Sequence, residues 1–222
     1  VDARLVLRAV DISAGISRPQ ADQRPVGGLV PGQAESLRAA AMEPGAAARF
    51  LAGRAALRRF AGDILDVPAH KLTAAYSCPR CGAGPALSHG RPGFTYHGQP
   101  VPLLLSMARA GGWVLLAGLT SPAAGERLGI DAEDPARLAF DGFDAVALAD
   151  EEKQALAGLA GPSLFRERAR LWTRKEAWLK MTGEGLRTDP REVAVLDKPE
   201  LKDLPANATG LPASLVAAAA LG

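Results

Sequence analysis

The stretch that most constrains this chain is a helical repeat with an acid inside its apolar stripe. The repeat begins at Ser163, which can cap a helix start, and runs to Gly183, which can end one. At 3.6 residues per turn, Phe165, Ala169, Trp172, Glu176 and Leu179 share one stripe, and Glu176 is its single charged member. A buried carboxylate without a partner costs several kcal/mol or takes up a proton, so Glu176 calls for a cation. Lys180, one turn further on, can supply it, and so can a metal ion. Only six lysines occur in the chain, and Lys175 and Lys180 flank this glutamate. An amphipathic helix with an incidental ion pair accounts for the same stretch.

A second acidic element lies upstream. Leu128 to Glu133 reads as a short strand, in which Asp131 and Glu133 project from one face about 6.6 Å apart along the backbone. Two carboxylates aimed at one spot repel unless a cation lies between them. Together with Glu176 they make three hard oxygen ligands, a set that suits Mg²⁺, with Mn²⁺ as the alternative. A solvated strand face is the plainer account of Asp-x-Glu alone. The combination with Trp-x-x-Lys-Glu-Ala-x-x-Lys at 172–180 is more specific.

These segments, Gly129-Ile130-Asp131-Ala132-Glu133 and Trp172-Thr173-Arg174-Lys175-Glu176-Ala177 with Lys180 and Gly183-Glu184-Gly185-Leu186, resemble the signature of Sfp-type 4'-phosphopantetheinyl transferases. Enzymes of that family move the phosphopantetheine arm of coenzyme A onto a serine of an acyl or peptidyl carrier protein. The resemblance extends over residues 46–187. It implies a metal site at Asp131, Glu133 and Glu176, with Lys175 and Lys180 neutralising phosphate beside it. It also implies two similar α+β lobes with the active site between them, here a lobe over 1–122 and a second over 123–222.

Other segments match family elements. Arg49-x-x-x-Gly53-x-x-x-x-Arg58 resembles one whose first arginine touches the coenzyme A 3'-phosphate, while the last is more often structural; by spacing alone it is the solvated basic face of a helix over 46–65. Gly90-Arg91-Pro92 matches a triplet whose basic residue faces phosphate, although a glycine–proline turn with an exposed arginine explains it equally. Ala108-Arg109-Ala110-Gly111 stands where the family usually has Ser-His-Ser-Gly, so Ala108 replaces the serine and Arg109 a pyrophosphate-binding histidine. Arginine keeps the charge and loses the titrating imidazole. Asp150 can cap a short helix in which Glu152 matches a glutamate that some accounts make the catalytic base. An acidic first helical turn is the simpler explanation.

Cys78-Pro79-Arg80-Cys81 is followed by His89 and His97, each after a seven-residue gap. The spacing is not that of a standard finger, and the reading is a plain knuckle turn with two reduced cysteines. A structural zinc at Cys78/Cys81 completed by the two histidines, His89 and His97, is the alternative.

The remaining elements read as strands over 4–10, 101–107, 114–119, 193–196 and 214–221, a helix over 33–42, and loops over 16–32, 134–143 and 199–212. At 222 residues and 48% apolar content the chain can build a substantial core. A formal charge of +2 gives no general case for nucleic acid, though 20 of the 26 basic residues are arginine, the better bidentate partner for phosphate. Two rival readings follow from these features: a zinc-knuckle nucleic-acid module, and a coenzyme A-binding protein with weakened catalysis. Val1 to Val10 has no basic region leading into a long apolar core, and no apolar run approaches the ~20 residues of a membrane span. The expectation is a cytoplasmic, monomeric enzyme without a membrane or nucleic-acid partner.

Overall fold

A computed structural model describes residues 4–13 and 28–222, apart from the Leu186 side chain. The chain forms two compact units. One comprises residues 1–105 and 112–122, the other residues 106–111 and 123–222. Both mix helix with antiparallel sheet, so the architecture is α+β.

The first unit contains β1 (Leu5–Asp11), α1 (Gln33–Ala40), α2 (Pro44–Leu65), β2 (Leu72–Ala74), β3 (Tyr76–Cys78), β4 (Gly82–Gly84), β5 (Phe94–Tyr96) and β6 (Gln99–Pro100). After β7 (Leu103–Ala110), whose residues from Ser106 belong to the other unit, it takes up β8 (Trp113–Thr120). β1 pairs antiparallel with β8, from Leu5 opposite Leu119 to Asp11 opposite Trp113. α2 lies close on β8 because Gly118 has no side chain: a Cβ there would stand 2.8 Å from Ile64 Cδ1. Phe60 and Leu57 are fully buried in this core.

A buried polar cluster fixes α1 to α2. Glu35 accepts from Arg58 Nη2 at 3.0 Å and from the Tyr76 hydroxyl at 3.0 Å, and Arg58 Nη1 also donates to Val30 O at 2.8 Å. Arg54, one turn before Arg58, donates to Ser88 O at 2.9 Å and stacks on the Tyr76 ring. Both arginines are therefore bound within the fold; they do not make a solvated face.

The second unit adds β9 (Leu128–Glu133), α3 (Phe143–Ala147), α4 (Asp150–Ala155), α5 (Gly161–Thr182), β10 (Leu201–Asp203), α6 (Ala206–Thr209) and β11 (Val216–Leu221). Its sheet runs β10-β11-β9, all antiparallel, with Asp131 opposite Ala218 and Glu133 opposite Val216. α5 packs over β9 and β11 and is buried around most of its girth, at Ala169, Leu171, Thr173, Arg174, Lys175, Ala177, Leu179 and Met181. It is the central helix of this unit, more enclosed than a single apolar stripe implies. Pro162 in its first turn and Gly183 beyond its end, at φ 82, set the limits. Trp172 meets Phe143 edge-on, and Trp178 lies under Lys198.

Three sequence expectations give way here. Val193–Leu196 is not a strand. Its backbone oxygens bond to side chains of α5: Arg174 Nε to Val195 O at 3.0 Å, Arg174 Nη2 to Leu196 O at 3.2 Å, and Lys175 Nζ to Val193 O at 2.5 Å. The loop expected over 199–212 contains β10 and α6. A short 3-10 turn, Pro135–Leu138, and the start of α3 interrupt the irregular stretch over 134–143. Of the loop expected over 16–32, residues 16–27 lie outside those described. Among the described residues, no helix is long and apolar enough to cross a membrane.

Candidate metal and phosphate site on the second unit

β9, which carries two of the acids, lies close against α5 because Gly129 allows it. A Cβ on Gly129 would lie 2.0 Å from the Ala177 carbonyl oxygen and 2.5 Å from the Met181 amide, so only glycine lets the strand approach the helix so closely. Strand side chains alternate, and Asp131 and Glu133 therefore leave β9 on the same face as Gly129, the face turned to α5.

There Lys180 Nζ donates to Asp131 Oδ1 at 2.6 Å and to Ile130 O at 3.1 Å. The one-turn lysine that sequence spacing gave to Glu176 thus bonds directly to Asp131. Glu133 Oε1 accepts from the Asp134 amide at 2.9 Å. Ser106, near the middle of β7, accepts from the Ile130 amide at 3.0 Å and fixes the backbone one residue before Asp131. Ser106 was not singled out from sequence, since a lone serine carries no spacing signal.

All three carboxyls are displaced in the same direction. Burial pushes Asp131 above its ordinary 3.8, with Lys180 pulling it back. Burial likewise raises Glu133 above 4.5, offset by the Asp134 amide and the charge of Arg137. Glu176 is raised by burial first, lowered by Lys180, and raised again by the charges of Asp131 and Glu133. The three acids therefore share one electrostatic neighbourhood, in which Lys180 pairs directly with Asp131.

Three carboxyl groups of this kind offer hard oxygen donors of the sort that hold Mg²⁺ or Mn²⁺. Their oxygens are not drawn together into a closed ligand set, however. Among the described residues, the three potential ligand atoms that lie within 4.8 Å of one another belong to Cys78, Cys81 and His89.

Lys175 and Glu152 stand elsewhere. Lys175 is fully buried, and its Nζ sits 2.7 Å from Glu152 Oε2 while donating to Pro190 O at 2.8 Å and Val193 O at 2.5 Å. Glu152 is equally buried and accepts from the Ala149 amide at 2.9 Å and the Val195 amide at 3.0 Å. Burial lowers Lys175 below its ordinary 10.5, and Glu152 draws it back up. The sequence reading expected a phosphate-facing lysine and an acid near the reacting serine here; in the structure Lys175 has no exposed surface, and Glu152 is enclosed by two amides and the Lys175 ammonium. Position 175 points about 100° away from 176 around a helix, which is why adjacent residues meet different surroundings.

The arginines are more accessible. Arg109, on β7, is exposed between buried Ala108 and Ala110. On the first unit, Arg49 is exposed on α2 near Glu43, whose carboxyl is lowered by the Gly45 and Ala46 amides and, less, by the Arg49 charge. Arg91 is half-buried and its backbone pairs with Ser77. That unit also holds a cavity of about 720 Å³ lined by residues including Glu35, Leu37, Arg38, Thr73, Leu87 and Ser88.

His89 approaches both cysteines, while His97 stacks on Tyr96. Amide bonds from Arg80 and Cys81 lower the Cys78 thiol to about 7, and Cys81 is raised through its bond to Cys78.

Residues 127–214, which span β9, α5 and β10, match the family model described as the 4'-phosphopantetheinyl transferase superfamily. A comparison with curated proteins finds no match to the chain.

Proposed function

Starting from residues 127–214 as a domain of the 4'-phosphopantetheinyl transferase superfamily, we propose that this protein transfers 4'-phosphopantetheine from coenzyme A to a serine of an acyl or peptidyl carrier protein. The products are holo-carrier protein and 3',5'-ADP. What supports the reading is that Lys180 pairs with Asp131 and that the Glu176 carboxyl feels the charges of Lys180, Asp131 and Glu133, on the segments that bear the signature residues.

In the proposed reaction the serine oxygen attacks the phosphorus that bears the pantetheine arm. The bond from that phosphorus to the bridging oxygen breaks, and the electron pair leaves on 3',5'-ADP. Asp131, Glu133 and Glu176 would hold a divalent ion, Mg²⁺ or Mn²⁺, which supplies Lewis-acid stabilisation of the developing phosphate charge. Lys180 pairs with Asp131 and counters part of the burial that raises its affinity for a proton. Arg109 is assigned the pyrophosphate, as a permanent cation where a histidine would titrate. Arg49 and Arg91 are assigned the 3'-phosphate end of coenzyme A. The serine hydroxyl gives up its proton to water in the site as its oxygen attacks, since Glu176 serves as a ligand in this reading. Lys175 and Glu152 act through position: their pair anchors α5 to the chain at Val193–Val195.

The test is the mass of an apo carrier protein after incubation with coenzyme A, Mg²⁺ and this protein. The expected result is a gain of about 340 Da on one serine, the mass of the transferred group. Glu176→Gln and Asp131→Asn are expected to remove the gain while the far-ultraviolet circular dichroism stays unchanged. An unmodified carrier with wild-type protein, or full turnover by either variant, would contradict the proposal.

A further inference from the structure

The sulfurs of Cys78 and Cys81 and a ring nitrogen of His89 lie within 4.8 Å of one another on the first unit. We propose that these three side chains bind a zinc ion that clips the β3–β4 hairpin to the segment leading into Arg91. The site takes no part in the transfer chemistry proposed above and stands on separate observations.

The first observation is the hairpin. Cys78 pairs with Gly82, and Gly82 at φ 84 returns the chain, so Pro79-Arg80-Cys81 makes a tight turn with both sulfurs on one side. The amides of Arg80 and Cys81 donate to the Cys78 sulfur. Amides turned onto a sulfur favour a thiolate, the form that ligates metal. The redox use of Cys-x-x-Cys relies on a helix N-terminus, whereas this pair lies in a β-turn with both cysteines free.

The second observation is how His89 reaches the pair. Gly90, at φ 88, lies so close to β3 that a Cβ would stand 2.2 Å from Ser77 O. Ser77 and Arg91 exchange backbone hydrogen bonds of 3.0 and 2.8 Å. Glycine at 90 therefore lets the chain lie against β3 and carries His89 alongside Cys78. His97 is held elsewhere, against Tyr96.

Tetrahedral zinc with sulfur and nitrogen donors sets its ligands about 3.5–3.8 Å apart, so small side-chain rotations close the observed group around an ion. Two thiolates and an imidazole suit zinc and discriminate against Mg²⁺. Cys81 is exposed, leaving the fourth position to water. Binding zinc displaces the thiol protons to solvent. The clip would brace Leu87 and Ser88, which line the cavity and immediately precede His89, and it would brace Arg91 just beyond.

Metal content and cobalt spectra provide the test, independent of any transferase assay. Wild-type protein and His97→Ala, expressed with zinc and dialysed, are expected to retain one zinc per chain. Cys81→Ser and His89→Ala are expected to bind it at least about tenfold more weakly. Cobalt substitution of wild type should give sulfur-to-cobalt charge-transfer absorption that Cys81→Ser diminishes. Wild-type protein that retains no zinc and gives no such absorption would overturn the proposal even if the variants failed to fold. Zinc retained equally by Cys81→Ser and His89→Ala, or isolation of the pair as a disulfide that resists metal after reduction, would also overturn it.

Discussion

Lys175 and Glu176 are neighbours in sequence with opposite duties. Lys175 enters a closed pocket with Glu152, whereas Glu176 faces the acids of β9. Removing one member of a fully buried ion pair leaves an uncompensated charge, so Lys175→Met should cost about 3–5 kcal/mol in urea unfolding. Pairing it with Glu152→Leu should recover much of that loss, because the stranded charge goes as well. A Lys175→Met protein of normal stability would show that the pair does not hold α5. The cluster at Glu176 makes a different prediction, in pH. Asp131, Glu133 and Glu176 all have folded values above their ordinary 3.8, 4.5 and 4.5. Between ordinary and raised values the folded state binds more protons than the unfolded one. The stability linked to these groups is thus complete below the ordinary values and is lost as pH rises through the raised ones. Metal-free Glu176→Gln should therefore gain in melting temperature over wild type as pH rises above about 4.5. A difference that is flat with pH would mean Glu176 feels no such crowding.

At the scale of elements, the contact between β9 and α5 decides whether the acids meet. Gly129→Ala puts a methyl group against the Ala177 carbonyl, and overpacking of this kind should cost about 3 kcal/mol while forcing the strand away from the helix. A Gly129→Ala protein with wild-type stability would show that the contact relaxes freely. Both partners were legible in the sequence. Leu128–Glu133 agrees with its expected limits, and α5 begins two residues before Ser163, because Pro162 suits a first turn, and ends at Gly183 as its backbone requires. Val193–Leu196 misled for a physical reason. Its unbroken apolar run, Val-Ala-Val-Leu, reports burial, which Val193 and Val195 have, but its carbonyls are satisfied by Arg174 and Lys175, with no partner strand needed. Lys180 illustrates the same limit. Helix spacing places it within reach of Glu176, while the choice of Asp131 depends on a strand distant in sequence.

For the whole molecule, the α+β architecture implied by the resemblance agrees with the structure, and the two compact units are each built around a long helix, α2 or α5, lying on antiparallel strands. The family match falls on residues 127–214, the part that carries the densest signature residues. The zinc group in the other unit was only half visible in sequence: Cys-x-x-Cys was plain, but the choice of His89 over His97 required the backbone approach at Gly90. The account as a whole rests on acids from β9 and α5 serving one hard divalent ion. The most direct test is a calorimetric titration of Mg²⁺ into the Cys81→Ser protein, which removes the proposed zinc site, with and without Glu176→Gln. One Mg²⁺ site that weakens at least about tenfold with Glu176→Gln is the predicted result; equal Mg²⁺ affinity in the two proteins would contradict it.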